Sequence, residues 1–139
     1  MIVPVKHLKQ SNDYNCGVTS LAVISDYSIE VLEYYDKDTT KRLGISHEGI
    51  YKITKKIGLK LHYQYNSTLK NLREKINSGL LCIVNYQAGG GHYSVVCGYD
   101  KKNIFIMDVT VGKIKKIPNQ KFLKVWYSKL YGYRWMAWI

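Results

Sequence analysis

The feature that most constrains this chain is a change of apolar period at Gly79–Leu80. Before it, apolar side chains recur at helical spacing: Ile50, Ile53 and Ile57 form one stripe, and Leu69, Leu72 and Ile76 another. After it come short apolar runs that suit strands, at 80–86, 92–99, 103–108 and 112–117. Helices gathered first and strands gathered afterwards predict an α+β fold, a helical lobe packed on a C-terminal antiparallel β-sheet. Two prolines among 139 residues leave little room for linkers, and the length suits one domain spanning 1–139.

Local signals refine the plan. Residues 1–9 read as extended. A helix is expected from Cys16 to Ser25, burying Val18, Leu21, Ala22 and Ile24, and a second, short one over 28–36. Ser46 caps a third helix that Gly58 ends, and Ser67 or Thr68 opens a fourth that Gly79 ends. Leu59, Leu61 and Tyr63 alternate with Lys60 and His62, as in a half-buried strand. Residues 119–127 suit a short helix and 133–139 a closing strand.

The chemistry centres on Gln10-Ser11-Asn12-Asp13-Tyr14-Asn15-Cys16-Gly17-Val18, a polar loop that delivers a cysteine to a helix start. There the unpaired N–H groups and the macrodipole favour thiolate over thiol. Gly17 leaves room beside the sulfur for a substrate carbonyl, whose oxygen could meet a main-chain N–H. Gln10, six residues earlier, is far enough for the loop to fold back and aim its amide at the same oxygen. Cysteine by itself is most often a small buried hydrophobe. Cys82 and Cys97 fit that description, because each lies within an apolar run.

A base for Cys16 lies downstream. Gly89-Gly90-Gly91-His92-Tyr93-Ser94 puts a histidine at the start of an apolar strand, rigid on one side and open on the other. A hairpin turning at 100–103 would bring Asp108 back beside His92, where a carboxylate fixes the imidazole tautomer. Gly90 and Gly91 then form an uncluttered wall along the substrate groove. The glycine run is no phosphate loop, since a strand follows it and Gly-Lys-Ser/Thr is missing.

With Gln10, Cys16-Gly17-Val18-Thr19-Ser20-Leu21, Gly91-His92-Tyr93-Ser94-Val95-Val96 and Asp108, the chain resembles the double-glycine leader peptidases. These are papain-like cysteine peptidases that process bacteriocin precursors and are often joined to ABC transporters. The resemblance spans about Val3 to Ile139, and it implies a papain-like fold. Cys16 is then the nucleophile, His92 the general base, Asp108 its orienting carboxylate and Gln10 the oxyanion donor. It also implies a cut after two small residues, a Gly-Gly leader peptide as substrate, and a separate ABC transporter as partner. Val109 stands where the family usually has proline, and Asn15 where an acidic residue is common.

The remaining features narrow the field. No apolar run approaches the roughly 18–20 residues that span a bilayer. The first residues lack the apolar core of a signal peptide, so a cytoplasmic location is expected. Three cysteines form neither a metal spacing nor an even disulfide set, and His7, His47 and His62 show no ligand spacing. No metal or other cofactor is expected. The net charge is +11, and after Asp108 there is no carboxylate side chain, while Lys113, Lys115, Lys116, Lys121, Lys124, Lys129 and Arg134 follow. That basic stretch is expected as a solvated face or as one rim of the cleft, steering an acidic peptide, with no stable nucleic-acid complex. Three functions fit the residues: a thiol peptidase first, then a papain-like acyl-transfer or deamidating enzyme, then an inactive peptide- or nucleic-acid-binding relative.

Overall fold

The computed structural model describes Met1–Ile139. In chain order the elements are α1 (Cys16–Ile24), α2 (Ile29–Tyr35), α3 (His47–Lys56), β1 (His62–Gln64), α4 (Leu69–Asn77), β2 (Cys82–Gln87) and β3 (Gly91–Tyr99). They continue with β4 (Asn103–Asp108), β5 (Lys113–Pro118), α5 (Asn119–Val125), β6 (Tyr127–Ser128), β7 (Gly132–Tyr133) and β8 (Met136–Trp138). Six strands form one sheet in the order β1-β8-β2-β3-β4-β5, every neighbouring pair antiparallel. The fold is therefore α+β.

Strand alternation explains why the central strands read as continuous apolar runs. Ile83, Val95, Cys97, Phe105 and Met107 face one apolar cluster, which includes Val18, Leu21 and Ala22 of α1 and Ile50 and Ile53 of α3. Cys82, Val84, Val96, Ile104 and Ile106 face the other, with Leu72 and Ile76 of α4 and Phe122 of α5. A sheet covered on both faces needs no polar side. α1 is buried from Cys16 through Val23, so it runs as a central helix against β3.

The helix signals act as expected. Ser46 and Thr68 accept from Gly49 N and Asn71 N, and Asn71 completes a capping box on α4. Gly58 and Gly79 adopt φ of 74° and 81° just past α3 and α4, the left-handed conformation that ends a helix. Two expectations need correction. The half-buried strand expected from Leu59 is only His62–Gln64, because Leu59 N still bonds back to Thr54 O behind α3. The closing strand expected over 133–139 is broken at Arg134, whose φ is 49°. Its first residue, Tyr133, pairs instead with β6, and Met136–Trp138 joins the main sheet.

Candidate functional site

The loop before α1 is held by its own side chains. Tyr14 N donates to Asn12 Oδ1 at 3.0 Å, and Asn15 Nδ2 donates to Ser11 Oγ at 2.8 Å and to Glu33 Oε1 at 3.1 Å. Asn15 occupies the N-cap position, yet its side chain is committed to the loop and caps nothing. The first N–H groups of α1 are thus left without a side-chain acceptor, and Cys16 is the first residue of that turn. Cys16 is 8% exposed, and its Sγ accepts the Tyr93 N–H at 3.5 Å.

That amide belongs to β3, one residue past His92. Nε2 of His92 lies 3.3 Å from Asp108 Oδ1, and the Ser94 and Thr110 hydroxyls each lie 3.1 Å from the same nitrogen. The edge of the Tyr86–His92 pair closes the cluster, ring centroids 5.6 Å apart at 80°. Asp108 is buried. Its Oδ1 accepts the Thr110 N–H at 3.0 Å, and its Oδ2 meets Lys115 Nζ at 2.7 Å. Burial alone would raise the Asp108 carboxyl, but His92, Lys115 and the Thr110 amide outweigh it and hold the group well below the usual carboxylate range. Burial would likewise lower His92, yet its contacts with Asp108 and Cys16 raise it to about 9. A carboxylate on one ring nitrogen, leaving the other for a thiol, is the arrangement that pairs imidazolium with thiolate.

A cleft of about 470 Å³ reaches the sulfur. Cys16, Asn85, Tyr93 and Gly89–Gly91 line its inner part, and two turns form its lips, residues 41–44 and residues 128–131. Gly89 and Gly90 have φ of 74° and 132°, and a Cβ built on either would touch nothing within 4 Å, so this wall is bare backbone. Asn85 is buried on the same wall, and its Oδ1 has no partner.

Other sequence candidates sit differently. Gly17 is buried and does not line the cleft. A Cβ there would run into Ile45 Cγ2 and come within 3.1 Å of the Tyr93 ring, so its bareness makes room for the protein's own side chains. Gln10 is held by its main chain, N donating to Val109 O at 2.8 Å, while its Oε1 is buried without a partner. The basic stretch does not form one rim. Lys129 alone of it lines the cleft, while Lys115, Lys116 and Lys121 border a separate cavity of about 250 Å³ beyond β5. Sequence reasoning passed over Lys41 and Arg42 at the cleft and Lys115 at Asp108. The last had a signal, since positions diagonal across a hairpin are within reach of a long side chain. No group of three His, Cys, Asp or Glu side chains is placed to hold a metal ion.

Comparison with known proteins bears on the family and the fold. The model of the peptidase C39 family matches residues 4–131. No curated protein matches the sequence. Among solved structures, a C39-like peptidase from Bacillus anthracis superposes with TM-score 0.80 at 16% identity, over 99% of this chain and 96% of that one. The peptidase domain of Streptococcus ComA, a bi-functional ABC transporter of a quorum-sensing pathway, gives 0.76 at 24% identity, over 95% of each chain. A double glycine motif protease from the AMS/PCAT transporter, solved with its leader peptide, gives 0.74 at 19% identity, over 98% of this chain and 91% of that one. At these identities the likeness is one of fold, the papain-like fold.

Proposed function

The chain belongs to the peptidase C39 family and is a cysteine-type peptidase, and on that footing we propose that it cuts peptides after two small residues by means of Cys16, His92, Asp108 and Gln10. The observation that carries this reading is the fixing of His92: one ring nitrogen faces a buried carboxylate 3.3 Å away, and Cys16 is among the groups that raise its proton affinity. In the reaction the Cys16 thiol passes its proton to the imidazole, and the thiolate attacks the scissile carbonyl carbon. The oxyanion takes N–H donors from the uncapped start of α1 and from the Gln10 side chain. Collapse breaks the C–N bond, and the His92 proton leaves with the amine. Water, deprotonated by His92, then adds to the thioester, releasing the new carboxylate and the thiol.

Substrate choice follows from the cleft wall. Gly90 and Gly91 present main chain to the peptide, so a Gly-Gly stretch lies flat there where larger side chains would be held away. A leader peptide ending in Gly-Gly is the substrate of this kind, and the whole of residues 1–139 acts as one peptidase domain on it. No helix is long and apolar enough to cross a membrane. The partner this reading proposes is an ABC transporter, in keeping with the transporter peptidase domains that share the fold.

The test is cleavage of a peptide with an internal Gly-Gly, followed by mass spectrometry. Cys16→Ala and His92→Ala are each expected to leave no product while keeping the fold by circular dichroism. Wild-type rates in Cys16→Ala would overturn the reading.

A further inference from the structure

We propose that Lys115 is a positioning residue of the peptidase site, clamping the Asp108 carboxylate in the orientation that holds His92. The inference rests on the roles just proposed for Cys16, His92 and Asp108. On the β4–β5 hairpin Asp108 stands opposite Lys113, and Ile106 opposite Lys115. Lys115 is thus the diagonal neighbour of Asp108. Its Nζ–Oδ2 separation of 2.7 Å is that of a charge-assisted hydrogen bond. The other oxygen, Oδ1, takes the Thr110 N–H and faces His92. Each carboxylate oxygen therefore has its own partners, and rotation of the group would break both sets. The Ser94 and Thr110 hydroxyls also contact Nε2, but they carry no charge and can turn about their C–O bonds.

The pairing is selective. Of 21 Lys and Arg side chains, only Lys52 and Lys115 meet a carboxylate. Lys52–Asp38 lies at 3.6 Å between an exposed lysine and a half-buried aspartate, whereas Lys115 reaches a carboxylate that is buried beside the imidazole.

The consequence has a definite sign. The titratable groups around His92 are Cys16 from α1, Tyr86 from β2, Asp108 from β4 and Lys115 from β5. Cys16 and Asp108 draw a proton to the imidazole, and Lys115 shares the Asp108 carboxylate with it. Without Lys115, His92 faces an unshared carboxylate and binds its proton more tightly. Asp108 is also freed to turn away, so the imidazole is held less often in the productive orientation. A lysine that only decorated the surface would change neither property.

Three variants of the full chain, Lys115→Met, Lys115→Gln and Lys115→Arg, separate the possibilities. The readouts are the pH profile of Gly-Gly peptide cleavage and the pH profile of Cys16 alkylation by iodoacetamide, which needs no peptide. Lys115 is 44% exposed, so the effect is that of a partly solvated ion pair. Methionine and glutamine are expected to lower kcat by roughly two- to fivefold with KM unchanged, as loss of up to ~1 kcal/mol implies. They should also move the alkaline limb of both profiles to higher pH, by up to about 0.7 of a unit. Arginine should retain wild-type behaviour in both. Profiles of Lys115→Met and Lys115→Gln that superimpose on wild type would overturn the inference. So would equal impairment by all three variants with the limbs unmoved, which is the mark of lost packing. Cleavage surviving in Cys16→Ala would instead sink the roles assigned to Cys16, His92 and Asp108, on which the inference stands.

Discussion

Three thiols share this chain, and their surroundings sort them. Burial pushes Cys82 up to about 12 and Cys97 up to about 11, and both are closed off within the two apolar clusters. Cys16 lines the cleft beside His92. Brief iodoacetamide treatment at neutral pH, mapped by mass spectrometry, should therefore label Cys16 and leave the other two intact; faster labelling of Cys82 or Cys97 would remove the nucleophile from the proposal. Gln10 poses a different test, because its main chain serves the fold through Val109 O and only its side chain is assigned to the reaction. Gln10→Ala should lower kcat by roughly 100- to 1000-fold, the cost of one oxyanion donor at about 2.7–4 kcal/mol. Its melting temperature should stay near wild type, and an active variant would place the donor elsewhere. Two histidines, His47 fully buried and His92 largely so, set the pH dependence of stability. His92, raised to about 9, contributes stability that is complete below the unfolded value near 6.5 and lost as pH climbs through 9. His47 is stacked on Trp135 at 4.0 Å and lowered by burial to about 4, so its neutral form favours folding and stability falls as pH drops from 6.5 toward 4. Melting temperature should thus peak near neutral pH, with His92→Ala flattening the alkaline side in particular.

At the scale of elements, α1 carries the site because it is gripped from every side. Gly17 lies in its first turn against Ile45 and Tyr93, and Tyr93 Oη in turn donates to Ile45 O at 2.9 Å. Alanine is the better helix former by about 1 kcal/mol, yet its methyl would have to displace a packed isoleucine, which costs about 1–3 kcal/mol. Gly17→Ala should therefore melt lower than wild type, as measured by calorimetry; a higher melting temperature would mean that Ile45 moves aside freely. The expectation that Gly17 leaves space for substrate arose from the correct local feature, a bare residue beside the sulfur, without knowledge of what packs there. Elements announced by their own residues were legible in advance. Ser46, Thr68, Gly58 and Gly79 bound their helices, and the 100–103 turn, held by Asp100 Oδ1 accepting from Lys102 N and Asn103 N, returns Asp108 to His92. What was not legible depends on chain segments that meet only in the folded state. Ile45 reaches Gly17 from a distant turn, and the left-handed Arg134 that breaks the last strand has no glycine to announce it. Lys115 looked like any other lysine of a basic hairpin until the β4–β5 register set it diagonal to Asp108.

For the molecule as a whole the question is what an excess of 21 basic over 10 acidic residues is arranged to do. The cleft lips repeat one chemistry from two unrelated parts of the chain. Lys41 and Arg42 precede Leu43 in one turn, and Lys129 precedes Leu130 in the other. Both leucines are exposed, at 57% and 65%, beside their cations. Asp13 is the only acidic lining residue, so the field at the mouth is positive. A peptide carrying carboxylates upstream of Gly-Gly should be drawn in faster, which raises kcat/KM through association and leaves the chemical step alone. The measurement compares acidic and basic Gly-Gly peptides at low and high salt, with and without excess DNA. The acidic peptide should be cut roughly tenfold faster at low salt. Its advantage should shrink as salt shortens the screening length toward about 3 Å at 1 M. Reversing the lips with Lys41→Glu, Arg42→Glu and Lys129→Glu should erase the preference while Cys16 alkylation stays at its wild-type rate. Equal cleavage of the two peptides by the wild-type protein would make these cations a solvated surface, and strong inhibition by DNA would turn the basic mouth toward nucleic acid instead.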